Sequence, residues 1–322
     1  MLRRFALLAL LSLVGCGGAV PQNGPSTSGS SSGGERGVIG VSLLTFENPF
    51  FKIIADHIEA AARKHGYSVV ALSADEDPAK QARQLDDFIV QKVAAIVLSP
   101  AETRSLAPVI QKANAAGIPV FTVDIPIMEP GVEIVSQIAT DNKGGGKSAA
   151  EAMIEAIGSG KVAILHYQQA ESCRLRVEGF REVIDAHNQT AAEKVEIVAE
   201  LEGGGAKDKG RSAAADALQS NPDLRGIFAI NDPSALGAVA AVEEAGKSGQ
   251  VVIIGFDGQI EGKQAIKDGK IYADPIQFPD QMGTRVVDAI VDHLSGKEVP
   301  PVQLIPTSLY RKSDGEKDPE LK

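Results

Sequence analysis

Aromatic residues and cysteines are scarce in this 322-residue chain. Tryptophan is absent, and aromatic residues make up only 4% of the sequence. One of the two cysteines, Cys16, lies in the leader described below, so Cys173 has no disulfide partner in the folded part. Acidic residues outnumber basic ones by 42 to 32, and such a negative surface repels phosphate backbones. We therefore expect neither a disulfide scaffold nor a nucleic-acid-binding protein.

Signatures of several enzyme classes are missing as well. The five histidines show no spacing typical of a metal site. No G-x-S-x-G motif is present, and no G-x-G-x-x-G motif follows the first strand. The run GGGKS at residues 144–148 ends like a phosphate-binding loop, but Asp141 stands where that loop needs its first glycine. Close helix packing explains these glycines better, and we expect no catalytic residue, no cofactor and no metal.

The N-terminus has the features of an export leader. Two arginines precede an apolar run at residues 5–14, which is too short to span a bilayer. The run ends in LVGC, which resembles the lipobox of bacterial lipoproteins, in which the cysteine is acylated; an ordinary signal peptide with an incidental cysteine is the alternative. Residues 17–36 are rich in glycine and serine, as in a flexible tether. We expect a signal peptide at 1–15, lipidated Cys16 opening a tether through 36, and attachment to a membrane in the periplasm or at the outer cell surface.

The rest of the chain alternates between strand and helix patterns. Continuously apolar runs, such as those at 37–44, 94–99 and 161–167, alternate with segments whose apolar residues follow a helical period. Apolar strands joined by helices indicate parallel sheets covered on both faces. The number of units, and the similarity of the two halves, predict an α/β protein with two doubly wound, Rossmann-like lobes that divide near residue 140.

Polar and aromatic residues follow the predicted strands. In open α/β sheets ligands bind beyond the carboxyl ends of the strands. The candidates at these ends are Asn48, Phe50, Phe51, Asp124, Arg174, Asn231, Asp257 and Gln277. Carboxylates, amides and a guanidinium offer paired donors and acceptors, and phenyl rings offer apolar faces. This combination suits a neutral polyhydroxylated molecule such as a sugar.

Some of these residues also have purely structural explanations. Asn48 before Pro49 is an ordinary helix start, and both following phenylalanines could simply be buried, although we expect one of them to stack on a ligand. Asp232 is expected to cap the next helix, and Asp257 could be a turn residue. Arg174 opens a helix, where its charge opposes the positive end of the helix dipole. We interpret this unfavourable position as a sign of function.

Seven motifs occur in one order along the chain and together resemble a known family. They are Asn48-Pro49-Phe50-Phe51, Asp124 at a strand end, Thr140-Asp141-Asn142 before Gly144-Gly145, RLRVEGF at 174–180, Ile230-Asn231-Asp232 before Ala235-Leu236-Gly237, Gly255-Phe256-Asp257-Gly258, and Gln277 before Pro279-Asp280-Gln281. In this order they resemble the periplasmic sugar-binding proteins of the ribose type, the solute receptors of ABC importers.

This resemblance implies a fold and a function. It implies a lobe of residues 37–139 and 278–305, a second lobe of 140–277 and 306–322, and a hinge of three crossing segments. The lobes would close over one monosaccharide or polyol and deliver it to an ABC permease, and the receptor would be a monomer. Receptors of this fold that signal to a chemoreceptor or a sensor kinase are an open alternative. Ile125, where the family usually has arginine, and Gly203-Gly204-Gly205, where it commonly has an aromatic residue, leave the ligand unspecified.

Overall fold

The computed structural model describes residues 36–321, and its first lobe is built on a parallel sheet of six strands. The strands are β1 (Val38–Leu43), β2 (Ser68–Ser73), β3 (Ala95–Leu98), β4 (Val120–Val123), β5 (Ser136–Thr140) and β11 (Val302–Ile305). Their order in the sheet is β11-β5-β4-β3-β1-β2. The helices are α1 (Pro49–Lys64), α2 (Pro78–Gln91), α3 (Thr103–Ala115) and α9 (Pro279–Leu294). The expected signal peptide, Cys16 and almost all of the tether lie outside the described residues.

The second lobe repeats this plan. Its sheet has the order β12-β10-β9-β8-β6-β7, and only β12 runs antiparallel to its neighbour. The strands are β6 (Gly160–His166), β7 (Val195–Glu202), β8 (Leu224–Ala229), β9 (Val252–Ile254), β10 (Ala273–Ile276) and β12 (Ser308–Arg311). The helices are α4 (Asn142–Ile157), α5 (Glu171–Thr190), α6 (Lys207–Ser220), α7 (Asp232–Glu244), α8 (Ile260–Lys267) and α10 (Lys312–Gly315).

The chain passes between the two sheets at three places. It leaves the first sheet after Thr140, returns after Ile276, and crosses again between β11 and β12. These crossing segments are bonded to one another: the Asp141 amide donates to the Ile305 carbonyl at 2.8 Å, and the Thr140 hydroxyl donates to Gln277 Oε1 at 2.6 Å. They therefore form one connected region between the lobes.

Apolar side chains fill the space on both faces of each sheet. All residues of β3 and β4 are buried, as expected for central parallel strands. Separate apolar clusters cover the two faces, one around Ile54 and Val286 and the other around Leu85 and Leu106 in the first lobe. The predicted class of two doubly wound α/β lobes is confirmed. Strands β11 and β12 and helices α8 and α10 were not predicted from the sequence. No helix within residues 36–321 is long and apolar enough to cross a bilayer.

Glycines bring α4 and α5 into backbone contact. A Cβ atom at Gly146 would lie 2.0 Å from the carbonyl oxygen of Arg176, and one at Gly179 would lie 2.1 Å from that of Lys143. Only glycine permits this reciprocal approach, which accounts for Gly146 in the run that resembles a phosphate loop. The contact also sets the position of Arg176 relative to the start of α4.

Candidate functional site

The first-lobe part of the candidate site begins where β1 leads into α1. Asn48 caps α1, and its Oδ1 accepts a hydrogen bond from the Phe50 amide at 3.0 Å. Phe50 and Phe51 are each only 4% exposed, and their rings meet edge to face with centroids 5.3 Å apart. Both rings belong to the apolar core of the first lobe. This burial agrees with the structural explanation, in which both phenylalanines pack into the core. Stacking of one ring on a ligand stays a prediction.

Asp124 lies at the carboxyl end of β4 in an unfavourable environment. Its backbone has φ 66°, its side chain is buried, and its Oδ1 has no hydrogen-bond partner among the described residues. Burial raises the pKa of Asp124 to about 7, the Arg176 guanidinium lowers it, and the Asp257 carboxylate raises it. This first-lobe carboxyl is therefore close enough to sense the charges of the second lobe.

Arg176 and Asp257 form the charged centre of the second lobe. Their Nη1 and Oδ1 atoms are 2.9 Å apart, and both side chains are almost fully buried. Arg176 also donates from Nε to Asn142 Oδ1 at 2.8 Å and from Nη1 to the Ile230 carbonyl at 2.7 Å. Its guanidinium carbon lies 3.8 Å from the centre of the Phe256 ring. Several elements thus hold one cation in a single orientation.

Asp257 links this ion pair to the region between the lobes. Gln277 Nε2 donates to Asp257 Oδ1 at 2.6 Å, and Gln277 Oε1 in turn accepts from the Thr140 hydroxyl. The backbone of Asp257 has φ 115°, a strained conformation for a residue with a side chain. Burial raises the pKa of Asp257, while Arg176, Gln277 and Gln259 lower it. The carboxylate is thus held by direct hydrogen bonds from three side chains.

Arg174, which the sequence analysis selected, is not part of this group. Its side chain is 60% exposed and forms an ion pair with Glu171, one turn earlier on α5. Two residues along a helix correspond to about 200°, so Arg174 and Arg176 point in nearly opposite directions. Glu171 also supplies the negative charge near the helix start that the dipole argument overlooked. The buried positions Cys173 and Val177 mark the inward face, and this spacing would have selected Arg176.

Asn231 starts α7 and has an additional tertiary contact. Its Oδ1 accepts from the Ser234 amide at 3.0 Å, which makes Asn231 the helix cap, and its Nδ2 donates to the Gly205 carbonyl at 2.9 Å. The expectation that Asp232 caps this helix was wrong, because Asp232 lies inside the first turn and is fully buried. A Cβ atom at Gly205 would lie 3.7 Å from the Tyr167 ring, so a tyrosine lies beside the glycine run.

The lobes also meet directly at the carboxyl ends of their strands. Gln259, after β9 of the second lobe, donates from Nε2 to Asn48 Oδ1 of the first lobe at 2.9 Å. Nearby, a cavity of about 10 Å³ has walls from both lobes, with Leu44 and Ile125 on one side and Tyr167 and Gln169 on the other. Ile125 therefore borders the space between the lobes.

Known proteins are similar to this chain along most of its length. A family model described as a periplasmic binding protein domain matches residues 39–298. The chain belongs to the periplasmic binding protein family. It is 34% identical over 295 residues to the ribose import binding protein RbsB of Bacillus subtilis, covering 91% of this chain and 92% of the relative.

Solved structures of periplasmic binding proteins resemble it along most of its length. An ABC transporter periplasmic solute binding protein from Actinobacillus succinogenes, with bound D-allose, has a TM-score of 0.82 at 25% identity and covers 88% of this chain and 100% of its own. An ABC transporter solute binding protein from Agrobacterium vitis, bound with α-D-tagatopyranose, has a TM-score of 0.82 at 28% identity and covers 89% of this chain and 98% of its own.

In this periplasmic binding protein, most of the candidates lie at the carboxyl edges of the two sheets. Asp124, Asp257 and Gln277 are buried there together with Arg176, and Asn48 reaches them through Gln259. Three residues near these edges were not selected from the sequence: Arg176, Gln259 and Tyr167. Helical periodicity could have identified Arg176. Tyr167 directly follows β6, so its place at a strand end could have identified it. Gln259 carries no local signal, because its importance depends on a contact with a distant segment.

The arrangement favours hydrogen bonding to a neutral ligand. Asp124 Oδ1 and Asp257 Oδ2 are acceptors, and the Asn48 amide nitrogen and the Arg176 guanidinium are donors. A cluster of histidine, cysteine or acidic residues able to hold a metal ion is absent from residues 36–321. Cys173 is buried beside the ion pair, and burial raises the pKa of its thiol to about 11, which makes it a poor nucleophile.

Proposed function

We propose that this protein captures a monosaccharide or a polyol between its two lobes and delivers it to an ABC importer. The observation that carries this proposal is the contact between the lobes at the carboxyl ends of their strands, where Gln259 bridges Asn48 of one lobe and Asp257 of the Arg176–Asp257 pair of the other. The relatives named above are a ribose import binding protein and solute binding proteins with bound sugars. The proposed ligand-binding residues are Asn48, Phe50, Phe51, Asp124, Arg176, Asn231, Asp257 and Gln277.

A sugar hydroxyl both donates and accepts, so it needs an acceptor and a donor side by side. Asp124 Oδ1 is an unpaired buried acceptor, and a sugar hydroxyl would satisfy it. Arg176 is the neighbouring donor and is already held in place by Asn142 and the Ile230 carbonyl. Each hydrogen bond to a charged group adds about 1.5–3 kcal/mol, so a few of them reach micromolar affinity after the cost of ordering.

The choice among sugars depends on two features of this chain. Ile125 brings an apolar side chain to the space between the lobes, where a charged residue would favour additional ligand oxygens. Tyr167 lies beside Gly205 and Asn231, and we propose that its ring replaces the aromatic residue that the glycine run lacks. Both features favour a ligand with an exposed apolar C–H face over one rich in charge.

Binding would proceed by closure of the lobes. A ligand that docks on one half-site is fully satisfied only when the second lobe reaches it, so the closed state binds it more tightly and becomes more populated. The crossing segments at Thr140 and Gln277 are bonded to Asp257, which connects the site to the region that must bend.

We further propose that the protein is exported and anchored to the membrane by acyl chains on Cys16, and that the receptor is a monomer. In the native host, Cys16→Ser should move the protein from the membrane fraction to the soluble fraction. A western blot of the two fractions measures this, with a transmembrane protein of the host as the control. Continued membrane association of the variant would contradict the lipid anchor.

A thermal unfolding screen tests the sugar proposal directly. The probes are D-ribose, D-allose, D-tagatose and myo-inositol, each at millimolar concentration. Binding to the folded state alone stabilises a protein by about 2.7 kcal/mol at one hundred times the dissociation constant, so at least one probe should raise the melting temperature by several degrees. Arg174→Ala should respond as the unaltered protein does, and Arg176→Lys should respond less. No response to any of these probes or to a wider set of sugars and polyols would contradict the proposal.

A further inference from the structure

A side-chain hydrogen bond from Gln259 joins the two lobes. Its Nε2 lies 2.9 Å from Asn48 Oδ1 of the first lobe and 3.5 Å from Asp257 Oδ2 of its own lobe. Asn48 Oδ1 also accepts the Phe50 amide at the start of α1, so this single oxygen receives one bond from each lobe. Because both partners are side chains of this chain, the bond can form before any ligand binds.

The backbone around Gln259 is held by two buried carboxyl groups. The Gln259 amide donates to Asp232 Oδ2 at 2.6 Å, and the Gly258 amide donates to Asp274 Oδ2 at 3.0 Å. Both aspartates are fully buried, and neither Oδ1 atom has a donor from any other described residue. A proton shared between the two carboxyls would satisfy both oxygens. The pair therefore fixes the backbone of the turn at residues 257–259 through these two hydrogen bonds.

The turn and its anchor fit together without spare room. A Cβ atom at Gly262 would lie 2.1 Å from Asp232 Oδ1, and one at Gly255 would lie 2.7 Å from Asp274 Oδ1. The backbone of Asp257 is strained, which requires surrounding contacts to hold it. A rigid turn limits the positions of the Gln259 side chain and directs it towards the first lobe.

We propose that Gln259 is a positioning residue that ties the two lobes together over the candidate site, on a turn fixed by the Asp232–Asp274 pair. It raises the population of the closed form before ligand binding and keeps Asn48 and Asp257 at their working distance. This role rests on the proposed sugar-binding function for its biological meaning. The contact itself is tested without any sugar.

The first test measures closure in the full-length chain by pulsed electron paramagnetic resonance. Spin labels are placed with Arg104→Cys at the start of α3 and Asp208→Cys at the start of α6, in a Cys16→Ser background. Both helices follow carboxyl ends of strands, so the labels flank the space between the lobes. Cys173 is buried with a thiol of raised pKa and stays unlabelled.

Gln259→Ala is compared with the unaltered turn and with Gln264→Ala. Gln264 is a half-buried glutamine on α8 whose Nε2 donates to Asp268 of the same lobe, so it is a matched control. Loss of one cross-lobe hydrogen bond should lower the ratio of closed to open forms about fivefold, seen as a longer distance between the labels. Gln264→Ala should not change the distance. An unchanged distance in Gln259→Ala would overturn the proposal.

A second variant keeps the test valid if alanine disturbs the turn. In Gln259→Glu an ionised carboxylate would face Asn48 Oδ1 and Asp257 Oδ2, both acceptors, and should open the lobes further. Acidification protonates the new glutamate and should restore the short distance. Other charged groups around this turn also respond to pH, and the unaltered protein is the control for them. These groups are Asp124, Arg176, Asp232, Asp257, Glu261 and Asp274.

The sugar probes then separate the two proposals. If a probe binds, its affinity should fall about fivefold in Gln259→Ala, in line with the lost closed population. A change in the label distance with no binding of any probe supports the role of Gln259 and contradicts the sugar proposal. Binding of a probe, with no change in distance or affinity in Gln259→Ala, supports the sugar proposal and contradicts the role of Gln259.

Discussion

Asp124 and Asp257 occupy equivalent places in the two lobes but have very different surroundings. Each follows a buried parallel strand, each has a positive φ, and each side chain is almost fully buried. Asp257 receives hydrogen bonds from Arg176, Gln277 and Gln259. Asp124 Oδ1 receives none from any described residue. The second lobe therefore has a pre-organised half-site, whereas the first lobe presents a carboxyl that needs a partner from outside.

The difference explains how one cleft can be both rigid and adaptable. Fixing Arg176 and Asp257 in advance removes the entropic cost of ordering them when a ligand arrives. Leaving Asp124 unpaired makes the first lobe depend on the second lobe and the ligand to complete it. Closure is then favoured because it satisfies a group that is costly when buried alone.

The largest expected effect comes from breaking the pre-organised half-site. Arg176→Ala leaves Asp257 buried without its cation, which should destabilise the protein by about 3–5 kcal/mol. Sugar binding should be weakened at least tenfold, because a charged hydrogen bond is lost. Urea denaturation and calorimetric titration measure the two effects.

Arg174→Ala is the control for this comparison, since it removes an arginine two residues away. Its exposed ion pair with Glu171 should contribute less than about 1 kcal/mol. If both variants lost stability and affinity equally, the central position of Arg176 would be wrong.

In the first lobe, replacing Asp124 should have a smaller effect on stability, and at high pH the replacement should stabilise the protein. The pKa of Asp124 is raised to about 7, so its contribution to stability is greatest when it is protonated and declines as pH rises from about 4 through 7. Asp124→Asn lacks this decline and should be as stable as the unaltered protein at pH 4 and more stable at pH 8. It should nevertheless bind sugar at least tenfold more weakly, since an amide is a poorer acceptor.

Denaturation at the two pH values, together with calorimetric titration, checks this trade between stability and binding. Asp86→Asn is the matched control, because Asp86 is an exposed first-lobe carboxyl paired with Lys112. Lower stability of Asp124→Asn at pH 8 would show that Asp124 is held by contacts that its burial does not suggest.

The smallest expected effect on stability comes from Asp232 and Asp274, which hold the turn at residues 257–259. Burial, and the charges of neighbouring aspartates, raise the pKa of Asp232 to about 8 and raise that of Asp274 as well. If the two carboxyls share a proton, the stability that it contributes is present below about pH 4 and is lost as pH rises through about 8. Asp274→Asn keeps a neutral donor to Asp232, so its stability should fall less between pH 6 and pH 9. A parallel pH dependence in the two proteins would rule out a shared proton.

Local patterns were sufficient for most of the fold. Apolar strand runs and helical periods predicted both lobes, because a parallel sheet needs continuously apolar strands. The strand β11 was missed, because two of its four residues are exposed and its apolar pattern is interrupted. The strand β12 pairs antiparallel with β10, a partner that lies more than thirty residues earlier in the chain.

The candidate site was less predictable than the fold. Asp124, Asp257 and Gln277 could be selected because they directly follow strands, where ligand-binding groups collect. Arg174 was selected on a dipole argument, whereas Arg176 lies on the buried face of α5. Gln259 could not be found, because its partner Asn48 lies 211 residues away in the other lobe.

The sequence by itself determined the two α/β lobes and the strand ends that carry the polar residues, because hydrophobic periodicity and chain order are local properties. Only the tertiary structure decided that Arg176 pairs with Asp257, that Asp232 and Asp274 lie beside the same turn, and that Gln259 reaches Asn48. Each of these depends on the angle at which a helix or turn packs, because that angle brings together side chains that are far apart in the chain.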